Sequence, residues 1–512
     1  MIMQKLPVPF AAIASFAGIV AFILLFWISV YGPGVSPDSI VYLETAVNVV
    51  SGEGFYANSE PMTHYPPVYP LMLALSSLMG SDILATSRVL HATIFGMNAI
   101  LVTTAVYLYS NRQRLLAAGC AFFLFMISTP ILTVHAWAWS DPPFIMYSVT
   151  SLILLTFYLT NSSWYWLIGA AFFMGLAMAT RYIGIVLFVP LLFGLIVLNT
   201  RNVIERGRDA LVAMAIASIP IGLWFGRNLM VADTVTNRQL VIHPFGLTHL
   251  KALIGTLSDF VLPIALPFWA KALHTAVWLL LLLIVLKMYY RSYVPIEANS
   301  QAGMVFVSLN LVFILSYLAF LIVSISFIDA YTPLDNRILL PVSISLIMII
   351  VVTAASVLHE QHQAAVRLSL FFFVALSLSL NGIYIAQEAR NIHRYGLGFT
   401  SQLWRNSETI TAVSALASDT LIFSNGPDVL RFWTGKDARL LPYRLFPTTL
   451  QLNEDYETQL KATCSGFSDG KLIVVYFDTI IRGYLLTKDE FTSTCNGIVG
   501  HRFADGSVYG RN

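Results

Sequence analysis

Asp38 and Asp141 are the two carboxylates whose neighbours could do chemistry. Asp38 lies in SPDSIVYLETAVNVVSGEG, residues 36–54, just after a long apolar run, and this stretch reads as a short helix from Asp38 to about Val50 ended by Ser51-Gly52. Asp141 lies in WAWSDPPF, residues 137–144, just before another. A carboxylate at such an edge can cap a helix by accepting backbone N–H groups. It can also take the proton of an attacking hydroxyl. Tyr42 and Thr45 follow Asp38 at helical spacing, so the three share one face. A polar face of this kind suits a site better than a spacer. The stretch EPMTHYPPVYPL, residues 60–71, adds His64 and Tyr65 as hydrogen-bond donors and Glu60 as a second base. His64 has no partner ligands at a recognisable metal spacing. A divalent cation, if one is used, falls to Asp38 and Asp141.

Four arginines stand at the same apolar edges: Arg88, Arg181, Arg227 and Arg337. A guanidinium there can snorkel to lipid phosphates or clamp a substrate phosphate through paired N–H donors. Arg337, in DAYTPLDNRILLPV at 329–342, stands beside two carboxylates that could hold it, Asp329 and Asp335, and is the first choice for the phosphate, with Arg181 and Arg227 behind it. Trp137 and Trp139 read as membrane-interface anchors rather than ligand contacts.

These residues need a membrane to sit beside. The chain has 512 residues, 57% hydrophobic and 11% charged, with a mean hydropathy of +0.73. A soluble domain carries about 25% charged residues, so the chain reads as a polytopic α-helical membrane protein. Its net charge of +2 leaves no basic footprint for nucleic acid. Stretches near 8–30, 88–109, 115–134, 142–160, 164–181, 183–199, 209–227, 273–290, 303–327, 338–357 and 368–385 read as eleven spans. Residues 66–80 are too short to cross and read as a re-entrant or interfacial helix. The basic residues of short connections set the orientation. Lys5, Arg112, Arg114, Arg201, Arg206, Arg208, Lys287, Arg291 and Arg367 fall inside, which puts loop 31–87 and the C-terminus outside. The N-terminal apolar run shows no clear cleavage site and reads as a retained helix.

Residues 1–385 then form the membrane domain and 386–512 a small extracytoplasmic α/β domain. The tail carries strand-like runs in TLIFSN (420–425) and KLIVVYF (471–477). NGPDVLRFWTG (425–435) reads as a turn and a short helix stopped by Gly435, and ADGSVYG (504–510) as a hairpin signal. Cys464 and Cys495 both lie here, and an oxidising compartment would permit a bridge between them. HEQH at 359–362 is one residue short of zinc-protease spacing, and GFSDGK at 466–471 lacks the phosphate-loop pattern.

The pattern DSxxYLxxAxNxxxGxG from Asp38, with HYPPVYPL at 64–71 and SDPP at 140–143, resembles the polyprenyl-phosphate-sugar-dependent glycosyltransferases. This is the GT-C superfamily of protein mannosyltransferases (glycosyltransferase family 39-like) and lipid A aminoarabinose transferases. The resemblance covers roughly residues 8–345. It implies a catalytic aspartate at Asp38, a second site carboxylate at Asp141, and a phosphate-binding arginine at Arg337. The basic residue often found before the Pro-Pro step is absent, and His64-Tyr65 stand in its place. The implied activity is inverting transfer of a sugar from a polyprenyl phosphate to an extracytoplasmic protein, lipid or polysaccharide acceptor. The alternative is a polytopic transporter or lipid-linked sugar flippase. The inverted repeats and broken midplane helices common in transporters are not visible in the sequence.

Overall fold

The computed structural model describes residues 8–80, 82–291, 298–357, 364–446, 449, 451–468, 472–495 and 498–510. The chain begins with α1 (Val8–Ile28), the short helix α2 (Pro37–Val50), a small hairpin of β1 (Tyr56–Ala57) and β2 (Glu60–Pro61), and α3 (Val68–Ser77). The helices α4 (Ile83–Tyr109), α5 (Arg114–Ile127), α6 (Thr129–His135), α7 (Asp141–Asn161) and α8 (Trp164–Met178) follow. Residues Tyr182–Leu198 form one interrupted helix: a 3-10 start, α9 (Phe188–Phe193) and a π-helical end. Then come α10 (Val203–Ala232), α11 (Leu247–Asp259), α12 (Phe268–Arg291), α13 (Ala298–Phe327), α14 (Leu340–Val357) and α15 (Ala364–Tyr395).

Among the described residues, seven of these helices are long and apolar enough to cross a membrane. They number eight if α5 and α6, bent by 65° at Ser128, make one span. The protein is therefore a multi-pass α-helical membrane protein. The expected count of eleven is not reached by this measure, for identifiable reasons. The 164–181 stretch forms only α8, of 15 residues, and the 183–199 stretch is the interrupted Tyr182–Leu198 helix. Both fall short of the ~20 residues that a straight crossing needs. The 368–385 stretch lies in α15, several of whose side chains are outside the described residues. Lys5 and HEQH lie outside the described residues altogether, and Arg367 is described in its backbone only. The 66–80 stretch forms the ten-residue α3.

The helix around Asp38 forms as its sequence dictates. Ser36 caps it, and the side chains of Ser36 and Ser39 each accept the other's backbone N–H. Pro37 occupies the first turn, where its missing N–H costs nothing. Ser51 ends it, with Gly52 at φ +86°.

After α15 the chain enters a mixed α/β domain with α16 (Gln402–Arg405), α17 (Glu408–Ser414), β3 (Leu421–Ser424), α18 (Pro427–Thr434), β4 (Ala438–Leu440), α19 (Tyr456–Ser468), β5 (Leu472–Phe477), α20 (Lys488–Thr494), β6 (Val499–Arg502) and β7 (Gly506–Gly510). The strand order is β4-β3-β5-β7-β6. The β4-β3-β5 pairs are parallel, and β7 runs antiparallel to β5 and β6. The parallel links run through α18 and α19, as parallel strands require a crossover. Gly435 at φ +65° ends α18. Cys464 and Cys495 are bonded, tying α19 to the end of α20.

Alternation along β5 divides the domain's interior. Leu472, Val474 and Tyr476 face α19 and α20 with Phe467, Phe491 and Tyr509. Val475 and Phe477 face the other way and join Val429, Leu430 and Trp404. That second core does not stop at the domain. It continues into Ile40, Tyr42, Leu43 and Ala46 of α2 and Tyr69, Leu73 and Ala74 of α3. The helix carrying Asp38 is therefore packed from one side by the C-terminal domain.

Candidate active site

Three short segments outside the long helices are stitched together next to α2. The Gly34 N–H donates to the Ala136 carbonyl at 2.8 Å, and the Ala138 N–H returns the bond to Gly34 at 2.8 Å. The Phe399 N–H donates to the Val35 carbonyl at 2.8 Å, and the Thr400 hydroxyl donates to the Pro33 carbonyl at 2.9 Å. Gly398, at φ +53°, touches the Val35 carbonyl and the Trp137 ring so closely that an added Cβ would collide with both. The clamp joins the end of α1, the turn before α7 and the start of the C-terminal domain. It thereby brings Asp38 and Asp141 to one place.

Arg337 lies between the two carboxylates. Its Nη2 is 2.9 Å from Asp38 Oδ2, and its Nε donates to Asp141 Oδ2 at 3.0 Å. The second oxygen of Asp141 pairs with Arg181 Nη1. Asp141 is 1% exposed, and each of its oxygens holds one guanidinium. Such a buried carboxylate is tolerable because it is fully paired. The Arg337 guanidinium lies 4.1 Å from the centre of the Trp139 ring, a stacking arrangement suited to arginine. The Trp139 indole N–H donates to Ser36 Oγ at 2.8 Å, so the capping serine of α2 also holds the ring under Arg337. Asp329 and Asp335 lie near Arg337 in sequence, but neither pairs with its guanidinium. Asp335 accepts the Arg337 and Ile338 backbone N–H groups at 3.0 Å each.

Asp38 is the more accessible carboxylate, with about a third of its side chain exposed. The Tyr65 hydroxyl donates to its Oδ1 at 2.9 Å. Burial pushes the carboxyl up, but the Arg337 charge and the Tyr65 hydrogen bond outweigh it and hold it below its ordinary value. Burial also opposes the charge on Arg337, yet Asp141 and Asp38 raise its pKa above the usual arginine value. His64 is held down to about 4 by burial, with the Arg238 charge adding to the effect. At neutral pH it is an uncharged imidazole and does not replace a basic residue.

The remaining candidates divide. Tyr42 is buried against the site, edge-on to Tyr65 and Tyr69, with its hydroxyl 3.4 Å from Ser140 Oγ. Thr45 is buried on the same face, where its hydroxyl meets the Met62 sulfur. Glu60 is exposed on β2. Arg227 is engaged elsewhere: it donates to the Met62 carbonyl at 2.9 Å and the Phe55 carbonyl at 2.8 Å, fixing the 55–62 loop. Arg88 binds the Phe26 carbonyl and covers the Phe26 ring. No group of three or more His, Cys, Asp or Glu is placed to hold a metal among the described residues.

Sequence reasoning missed three features. Trp139, read as an interface anchor, is the floor of the arginine site. Asp141 was expected in the site as a second carboxylate, but its pairing with two arginines was not. Behind both lies a buried polar chain. The His91 Nδ1–H donates to the His135 carbonyl at 3.1 Å, which leaves its Nε2 to accept from the Tyr69 hydroxyl at 2.8 Å. The His135 Nδ1–H donates to Ile131, and its Nε2 accepts from Asn98 Nδ2, which also donates to the Pro142 carbonyl at 3.1 Å. Polar residues inside apolar runs were the signal that could have pointed to this chain.

No protein-family model matches the chain, and no curated protein does. Solved structures do. ArnT from Cupriavidus metallidurans bound to undecaprenyl phosphate superposes with a TM-score of 0.56 at 11% identity, over 98% of each chain. The same protein in its apo state gives a TM-score of 0.53 at 12% identity, again over 98% of each. The chain shares the fold of ArnT over 98% of its length. At this identity the likeness speaks for the fold alone.

Proposed function

We propose that this protein is an inverting glycosyltransferase that moves a sugar from a polyprenyl phosphate to an acceptor hydroxyl outside the membrane. The single observation that carries the reading is the Asp38–Arg337–Asp141–Arg181 array. It sets an accessible carboxylate beside two guanidinium groups at the head of the helix bundle. The shared fold with a protein that binds undecaprenyl phosphate agrees with it. An apolar groove between α5, α12 and α14, lined by Leu124, Ile127, Trp278, Leu282, Leu346 and Ile350, suits the donor's hydrocarbon chain.

In the proposed step Asp38 takes the proton of the acceptor hydroxyl. The acceptor oxygen bonds to the anomeric carbon as the bond from that carbon to the phosphate oxygen breaks. The sugar inverts, and polyprenyl phosphate departs with the extra negative charge. Arg337 and Arg181 meet that charge. Asp141 does not react; it holds the two arginines at a fixed spacing. The array also couples binding to activation. A carboxylate paired with Arg337 is a weak base. A donor phosphate competes for the same guanidinium, and its arrival weakens the hold on Asp38, which raises the basicity of the carboxylate. We place no divalent cation in the step, because Arg337 already supplies the positive charge between Asp38 and Asp141.

The reading carries a topology. The eleven crossings count the bent α5–α6 pair, α8, the Tyr182–Leu198 helix and α15 alongside the seven long helices. They leave the N-terminus in the cytoplasm and the 386–512 domain outside a cell membrane, with residues 1–385 as the transferase domain. The test is transfer by detergent-purified protein from a polyprenyl-phosphate sugar. Asp38→Asn should lower turnover at least ~100-fold, the low end for a positioned acid–base group, with undecaprenyl phosphate still bound. Near-normal turnover in that variant would overturn the assignment.

A further inference from the structure

A second cavity opens beside the array, on the far side of His64. It encloses about 260 Å³ and is lined by both parts of the chain. The membrane part contributes His64, Arg238 and Asp329; the C-terminal domain contributes Phe446, Thr449 and Gln451. The cavity adjoins the reaction centre through consecutive residues. The His64 and Tyr65 rings are 4.8 Å apart, and the Tyr65 hydroxyl donates to Asp38.

The walls are anchored by the backbone. The Val241 and His243 N–H groups donate to the Phe327 and Ser326 carbonyls at 3.0 and 2.7 Å, which lays the segment after Arg238 along the end of α13. On the other side the Phe446 N–H donates to the Gln451 carbonyl at 2.9 Å, which ties these two lining residues together.

The lining selects among ligands. Arg238 and Asp329 approach to 4.0 Å and offset each other's charge, and His64 is uncharged, so a phosphate finds no excess of positive charge. A hydrocarbon chain would leave the polar groups unsatisfied. Amide, carboxylate, guanidinium and hydroxyl groups around a half-exposed aromatic ring suit a sugar ring. Planar polar groups pair with adjacent hydroxyls, and the Phe446 ring offers an apolar surface to the C–H face.

We propose that this cavity is a sugar-ring subsite shared by the membrane part and the C-terminal domain, holding a hydroxylated ring of one reactant beside Asp38. The inference rests on the transferase reading for its purpose, but its binding chemistry can be tested without transfer. The ring belongs either to the donor's sugar or to a sugar of the acceptor.

The experiment uses the full chain in detergent and saturation-transfer NMR with three probes: the methyl α-glycosides of glucose, galactose and mannose. At least one should receive saturation. Gln451→Ala and Asp329→Asn should each weaken that binding roughly five- to tenfold, the scale of one lost hydrogen bond, at unchanged thermal stability. Thr449→Val serves as a third variant should either fail to fold. Asp38→Asn should leave the signal intact. Absence of signal from all three glycosides, or a signal that survives the lining substitutions, overturns the subsite. Competition by a polyprenyl-phosphate sugar, with none by undecaprenyl phosphate alone, assigns the ring to the donor; no competition by either assigns it to the acceptor. Failure of the transferase reading would show separately, as normal turnover of Asp38→Asn with glycoside binding intact.

Discussion

At the scale of single residues, Arg337 is the hinge between structure and chemistry. It bridges two carboxylates from different parts of the chain and stacks on Trp139. Lysine would keep the charge but lose the planar fork that reaches both partners. Arg337→Lys should insert and fold yet bind undecaprenyl phosphate more weakly, by roughly 1–3 kcal/mol, the scale of a charge-assisted hydrogen bond. Binding titration beside a thermal melt separates the roles: normal affinity with a large loss of stability would make the arginine structural only. Asp38 gives a second residue-scale prediction. Its carboxyl is held below its ordinary value in the folded protein. Its charge therefore stabilises the fold above the unfolded carboxylate pKa of ~3.9, and that contribution is lost as pH falls through the lowered value. Acid unfolding of Asp38→Asn, followed by tryptophan fluorescence, should fall less steeply below ~pH 4 than that of the parent protein. Equal slopes would mean the carboxylate gains nothing on folding.

At the scale of elements, the decisive feature is the clamp of the 33–36, 136–138 and 398–400 segments. None of the three is a helix or a long strand, yet together they set the distance between Asp38 and Asp141. Gly398 permits it, since it adopts a left-handed conformation against the Val35 carbonyl and Trp137. Gly398→Ala should lose at least ~1–2 kcal/mol from the left-handed strain alone, with more from the collision. It should also lower turnover beyond what the loss of folded protein explains. Activity per folded molecule, read beside the melting curve, checks this; unchanged specific activity would show that the clamp is not needed for alignment. The bend between α5 and α6 belongs to the same scale. It turns His135 inward to accept from Asn98, whose amide also ties down the first turn of α7 and so Asp141.

At the scale of the whole molecule, the C-terminal domain and the helix bundle share one hydrophobic core through α2 and α3. A domain joined in this way is not a tether. Val429 and Leu430 of α18 pack in the same cluster as Leu43 and Ala46, so the domain helps to set the attitude of the helix that carries Asp38. The proposed topology is testable at this level. Alkaline phosphatase fused after residue 400 should be active if, as proposed, that point lies outside the membrane with the domain. An inactive fusion in a well-expressed protein would reverse the orientation.

Much of this architecture is legible in the sequence itself. Long apolar runs forced membrane helices, because buried backbone in lipid must satisfy itself. The Ser-Pro-Asp start and Ser-Gly stop marked α2 to within a residue of Pro37–Val50. In the tail, TLIFSN, KLIVVYF and the turn at Gly435 announced β3, β5 and the end of α18. These are local signals, carried by neighbours a few residues apart. The pairing of Arg337 with Asp38 and Asp141 was not local. Sequence proximity pointed to Asp329 and Asp335, whereas the partners come from almost two hundred residues or more away. The position of Trp139 beneath the guanidinium, the diversion of Arg227 to backbone carbonyls and the joint cavity beside His64 arise in the same way. Each depends on which turns and loops the helix packing brings together, and side-chain type alone holds no record of that.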